Sequence, residues 1–421
     1  MLVWAGDADR TNADFLAVLD ADPTSPSYGK VLRTYPVRSR GNEPGPLNAE
    51  PRADRRVFGT GVLTSRTFAF DVRQPLAAQL LHVDEPDPAR KFWSPHAPIS
   101  LPNGNVAVAC SDAARYRGDP RELLGAPGGL LELTADGQPV RELPAADPGA
   151  RHLILAPYGG AASARLGRLV TTNAGHGYTP TTRGERMPGI SVQIWSLGDL
   201  ALEHTVVLDA GPRGEENLGP ITARFMHNDR MVFVNTDQGS ALYASDSVHT
   251  KTPIFRLVFD FGAGAFGGGM AITPDDRFLV VALAGLNRVA SLDLGDPWHP
   301  KPVSSVRLDR DPLDPGTARR GGPHHLTMSV DGTRLVVANY TVDVPGFTQD
   351  GDHRVYMVRL DPATGRLRLD GAFQDERSGE VGVSFERPGW PHGETGPARP
   401  AGLLLVTPEP PASAKGRGGE E

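Results

Sequence analysis

Apolar residues recur along the chain in short alternating runs that end on Asp or on a turn. Phe15-Leu16-Ala17-Val18-Leu19-Asp20 is the first. Thr67–Asp71, Gly129–Leu133, Val192–Ser196, Ala241–Tyr243, Val289–Asp293 and Val355–Arg359 follow. Alternation with a period of two is the pattern of a strand. These seven runs lie roughly 50–65 residues apart, a period that marks repeated structural units. A second pattern, a turn and then a buried strand, precedes several of them: Pro102–Ala109, Pro274–Ala282 and Val330–Asn339. Asn103-Gly104 and Asp331-Gly332 are hairpin dipeptides and predict type I′ turns, which need positive φ. No amphipathic helix longer than a few turns is visible. An all-β chain with this repeat is a β-propeller of about seven four-stranded blades. We expect a single domain over residues 1–407. Its last strand, Ala401–Val406, is expected to close the ring by joining a blade begun at the N-terminus. Two polar segments, Val37–Arg56 and Asp309–Gly322, read as loops over one face of the ring. Residues 408–421, rich in Pro, Gly and charge, read as a disordered tail.

Composition sharpens this picture. With 421 residues the chain is long enough for two or three domains, but propellers run long as single units. The 49 glycines and 39 prolines favour many turns over long helices. A net charge of −7 with no Lys/Arg block argues against a nucleic-acid or anionic-membrane partner. Cys110 is the single cysteine, so no intrachain disulfide and no Cys-x-x-Cys metal knuckle is expected. The N-terminal residues lack the basic and apolar regions of a signal peptide, and no apolar run is long enough to span a bilayer. A cytoplasmic location is the expectation.

The stretches Asp14–Pro23 with Ser25–Val31, Ile221–Asn228, Asp275–Leu279 with Asp293–Pro297, and Gly321-Gly322-Pro323 leading into Leu326–Val337 together resemble the selenium-binding protein/methanethiol oxidase family. The similarity runs from about residue 10 to residue 395. It implies a propeller and, for bacterial members, methanethiol oxidation at a copper site. Two features depart from the family. The first long loop reads Gly41-Asn42-Glu43-Pro44-Gly45-Pro46-Leu47-Asn48, without the family's paired histidine or its Cys-Ser-Ser-Cys. His324 stands where a glutamine usually follows Gly-Gly-Pro.

Propeller sites form on the axis, where the inner strand of each blade faces the channel. His96 lies eight residues before Gly104, and His324 eight before Gly332. In the same register Gly268 lies eight before Asp276. These offsets place His96 and His324 on equivalent inner strands, provided neither strand carries a bulge. His325 is the alternative to His324, because adjacent strand residues face opposite sides. The resemblance adds His227, in Phe-Met-His-Asn, and His392, where the family carries a C-terminal histidine. His152 opens another apolar run between the blades of His96 and His227. His96, His152, His227, His324 and His392 are therefore the candidate metal ligands. Neutral imidazoles without thiolates suit copper, with iron as the alternative, and Glu394 is a candidate to orient one ring. His82, His204, His249, His299 and His353 read as surface residues.

The expected function is copper-dependent oxidation of a small thiol by O₂. The alternatives are a binding or scaffold propeller without catalysis, an iron site that cleaves alkenes, and lactonase-like hydrolysis. Gly262–Gly269 reads as close packing at the axis, since no GKS or GKT follows as a phosphate loop requires. Cys110 reads as an inert core thiol, and Glu215-Glu216 as part of a solvated loop.

Overall fold

The computed structural model describes residues 1–48, 50–113, 127–176, 187–308, 322–344, 347–349 and 351–406. The predicted tail and residues 309–321 of the second polar segment lie outside the described residues. Seven antiparallel sheets surround one axis, and their inner strands pack neighbour against neighbour around the ring. Blade 1 is built from both ends of the chain: Ala398–Leu404 lies innermost, then Leu2–Asp7, Phe15–Leu19 and Val31–Pro36. Leu2 pairs with Leu404 and Val3 with Leu403, which closes the ring as expected. The inner strands of blades 3 to 7 are Phe92–Ser100, Pro157–Ser163, Pro220–Phe225, Gly267–Ile272 and His325–Met328. Among the described residues the helical elements are three short 3₁₀ turns, and no helix is long and apolar enough to cross a membrane.

All seven predicted runs fall on the same strand of their blades, the third from the axis. Each of the three turn-and-strand segments forms the second strand with its entry turn. Third strands such as Phe15–Leu19, Gly129–Leu133 and Ala241–Ser245 are buried along their whole length. Both faces of a blade meet another blade, so alternate residues point into two different cores. Val3 and Ala5 pack with Val336, Ala338 and Met357 of blade 7. Leu2 and Trp4 pack with Val57, Phe68 and Phe70 of blade 2.

Two readings are corrected. The entry turns are not type I′. Each has three or four residues with a single left-handed position at Gly104 (φ 87), Asp276 (φ 60) or Gly332 (φ 69), as Gly104 N donating to Leu101 O illustrates. The segment Val37–Arg56 is not only a loop. Gly45 N donates to Thr60 O and Asn48 Oδ1 accepts from Phe58 N, so residues 44–48 run along Arg56–Gly61 as the innermost segment of blade 2. The sequence does not look strand-like there because Pro44 and Pro46 cannot donate to a ladder.

Inner strands crowd at the axis. A Cβ on Gly159 would lie 2.1 Å from Ile221 O of the next blade, and one on Gly268 would lie 2.7 Å from His324 O. Gly267, Gly268 and Gly269 thus pack closely, as expected, whereas Gly262 and Gly264 have nothing within 4 Å of a Cβ and serve a turn with positive φ instead. Gly268→Ala should push on the His324 backbone and destabilise the protein by about 1–3 kcal/mol, the usual cost of overpacking. Urea unfolding of the variant checks this.

Candidate functional site in the axial channel

Several inner strands break register near the same end. The shift lies between Pro95 and Pro98 in blade 3, Pro157 and Gly160 in blade 4, Pro220 and Thr222 in blade 5, and Gly267 and Met270 in blade 6. A bulge re-aims the extra residue. The bulged residues are His96, Tyr158, Ile221 and Gly268 with their neighbours, and His324 occupies the matching place in blade 7. His96 and His324 are therefore equivalent, as the turn offsets predict, although His96 does sit on a bulge.

These residues surround a cavity of ≈ 60 Å³ on the axis. His324 and His325 line it together. Their rings meet edge-on at 4.4 Å, and His324 Nδ1 lies 3.2 Å from His325 Nε2. The expectation that only one of the two points inward is overturned. The blade 7 strand begins at His325, so His324 lies outside the pleat that would force the pair apart. His96 is buried behind the wall. It stacks on Tyr158 at 4.1 Å, and its Nε2 lies 3.2 Å from Ser111 Oγ. Burial pushes the His96 imidazole down to about 4, against the pull of Asp112 and with the push of His324. Burial, then His324 and His96, hold His325 well below the usual histidine value. His96 and His325 are thus neutral near pH 7, with ring lone pairs available. The rest of the wall is largely apolar: Pro46, Leu47, Ile221 and Leu403. Pro46 and Leu47 come from the first long loop, and among the described residues that loop brings no His, Cys, Asp or Glu side chain to this wall.

The five candidate histidines do not converge. His152 is exposed in the turn before blade 4, and its apolar run becomes a strand only at Pro157. His227 lies at the opposite end of the blade 5 inner strand, half exposed, with Nδ1 3.0 Å from Asp276 Oδ1. His392 packs on the flank of blade 1 against Phe15. Its Nδ1 lies 2.6 Å from Thr34 Oγ1 and its Nε2 3.1 Å from Glu394 Oε2, so both ring nitrogens are engaged. Glu394 does orient a histidine, but away from the axis. Among the described residues no group of three or more His, Cys, Asp or Glu side chains is arranged to hold a metal.

His353 is also misread from sequence. It is buried, hydrogen-bonded to Glu386 and edge-on to Tyr340. Glu216 is not solvated. Burial works against its charge, but the Arg213 and Glu215 N–H groups donate to it and hold it below the usual carboxylate value. Cys110 is a core thiol pushed up to about 12 by burial, as expected.

Tyr158, Arg224 and the paired role of His325 escape the sequence reading. The same offset of eight carries a signal: counting back from the left-handed positions Asp229 and Gly167 gives Ile221 and Gly159, the latter next to Tyr158.

Glu43, just before the inner segment of blade 2, accepts from Tyr340 Oη and from the Asp343 N–H, with Arg10 Nη2 3.4 Å away. Burial outweighs these bonds and pushes its carboxyl up to about 7 from 4.5. The folded state then binds more protons than the unfolded state between those values. The contribution of this carboxyl to stability is full below pH 4.5 and is lost as pH rises through 7. Glu43→Gln, which keeps the acceptor, should match the wild type at pH 4.5 and exceed it by about 3 kcal/mol at pH 8. Unfolding midpoints at the two pH values check this.

Fold and site together define a seven-bladed β-propeller with an imidazole-bearing axial cavity. The chain belongs to the 56 kDa selenium-binding protein family, whose model matches residues 2–383. Selenium-binding protein 1 of Arabidopsis thaliana is 23% identical, over 86% of this chain and 82% of the relative. Methanethiol oxidase of Xenopus laevis is also 23% identical, over 86% of this chain and 85% of the relative. The crystal structure of a hypothetical selenium-binding protein from Sulfolobus tokodaii superposes with a TM-score of 0.73 at 20% identity, covering 95% of this chain and 92% of that one. At that identity the likeness establishes the fold alone.

Proposed function

We propose that the protein is an oxidoreductase that converts a small thiol, methanethiol or one of similar size, to an aldehyde and sulfide. For methanethiol the balance is one thiol, one O₂ and one water giving formaldehyde, hydrogen sulfide and hydrogen peroxide. The carbon–sulfur bond breaks, the carbon is oxidised and O₂ takes the two electrons. The observation that carries this reading is the cavity's size and lining. At ≈ 60 Å³ it holds only a few heavy atoms, since one water needs about 10–15 Å³ on this measure. Its apolar wall suits a methyl group, and its two adjacent imidazoles suit a sulfur-binding metal. The Xenopus relative's name supports the same choice.

His324 and His325 would hold copper, for which neutral imidazole nitrogens are suitable donors. When bound, copper lowers the pKa of a thiol and carries electrons between sulfur and O₂. The chain's own contributions are positional. Tyr158 and Ser111 fix the His96 ring behind the pair. Gly268 lets the backbone of His324 approach the neighbouring blade. Pro46, Leu47, Ile221 and Leu403 exclude bulk water and limit substrate length. Methanethiol supplied with O₂ should yield hydrogen sulfide and hydrogen peroxide in equal amounts. Saturable thiol binding without either product would instead make the protein a binding propeller.

A further inference from the structure

A second chamber of ≈ 330 Å³ lies toward the other ends of the inner strands of blades 5, 6 and 7. Arg224 lines both spaces. Its Nε donates to Met270 O at 3.0 Å and its Nη1 to Ala223 O at 2.7 Å. A guanidinium has five N–H donors. These bonds use two of them, and both acceptors are neutral carbonyls. Among the described residues no carboxylate lies within 4.0 Å of Arg224. Glu50 stands at the chamber's rim and pulls on the guanidinium only from a distance. A cation held in a low-dielectric channel without an adjacent counter-charge is costly, and an anion bound there relieves that cost. The chamber around it is otherwise mainly apolar, walled by Met270, Ile272 and Met328, with His227 at its edge. The Asp276 carboxylate accepts from His227 Nδ1 and holds the ring at that edge.

We propose that this lower chamber binds a small organic monoanion. Its carboxylate or sulfonate head accepts from the free Nη donors of Arg224, and its short apolar tail lies against Met270, Ile272 and Met328. A single guanidinium with Glu50 at the rim selects one negative charge. A chamber this much larger than a hydrated ion, walled by methionines, selects an organic body. Methionine adapts its shape to such ligands. The proposal does not depend on thiol oxidation, and its test uses no turnover.

The experiment is an NMR titration of full-length protein carrying ¹³C-methyl methionine. The probes are butyrate, 1-butanesulfonate, butanol and inorganic sulfate. Saturable shifts of the Met270 and Met328 methyls are expected with one or both organic anions, and which of them binds more tightly identifies the preferred head group. Butanol and sulfate should leave the methyls unmoved. Arg224→Gln should weaken the organic anion by about tenfold or more. Equal shifts with butanol, shifts with inorganic sulfate, no saturable shift with either organic anion, or unchanged affinity in Arg224→Gln would each overturn the proposal. If Arg224→Gln fails to fold, the comparison of butyrate with butanol on the wild type still decides the matter.

Discussion

Replacing His324 with alanine is expected to lower thiol turnover by about a hundredfold or more, the scale at which loss of a metal-site residue is felt. His325→Ala should behave alike, because the two rings face the same cavity with nitrogens 3.2 Å apart. The fold should survive both changes. His324 meets blade 6 through its backbone at Gly268 and Gly269, which alanine preserves. His227→Ala and His392→Ala are the informative controls. From sequence, His227 ranks with the strongest ligand candidates. In the structure it lies at the other end of a strand, paired with Asp276. Neither control should reduce turnover. Steady-state assays of the four variants, with thermal unfolding of each, separate the axial pair from the distant histidines.

Trp4→Ala is expected to cost about 3–5 kcal/mol, the usual penalty for removing a large buried aromatic side chain. Trp4 is fully buried, lies 5.0 Å from the Phe68 ring and 5.9 Å from Phe70, and donates from Nε1 to Thr60 O. It thereby ties blade 1, which closes the ring, to blade 2. Its loss leaves a cavity between blades and an unpaired carbonyl. Denaturant unfolding should show a lower midpoint with the slope unchanged, since the surface exposed on unfolding is nearly the same.

The fold was legible because every blade repeats the same two signals. The third strand is buried on both faces, so Phe15–Leu19 and its six counterparts stay apolar whatever loops surround them. The entry turn needs one left-handed residue, so Gly104, Asp276 and Gly332 stand out. Blade 2 was less legible because its inner segment carries Pro44 and Pro46, which cannot donate to a ladder, and is held in part by the Asn48 side chain. The site was legible only in part. His96 and His324 could be found by counting from the turns, since that distance is fixed along an inner strand. The pairing of His324 with His325 depends on where the blade 7 strand begins, which local sequence does not mark. His227 and His392 were drawn in by resemblance, and the structure places both in turns away from the small axial cavity, His227 against Asp276 and His392 against Thr34 and Glu394. Arg224 gave no signal because an arginine in a strand looks the same whether it reaches solvent or the channel.

In the function proposed above, the His324–His325 pair would hold the copper with which the protein oxidises a small thiol. The most direct measurement is the copper content, by mass spectrometry, of untagged protein reconstituted with copper and freed of excess, beside His324→Ala and His325→Ala. The account predicts one copper per wild-type chain and its loss from both variants. Wild-type protein that takes up no copper, or variants that keep it in full, would contradict it.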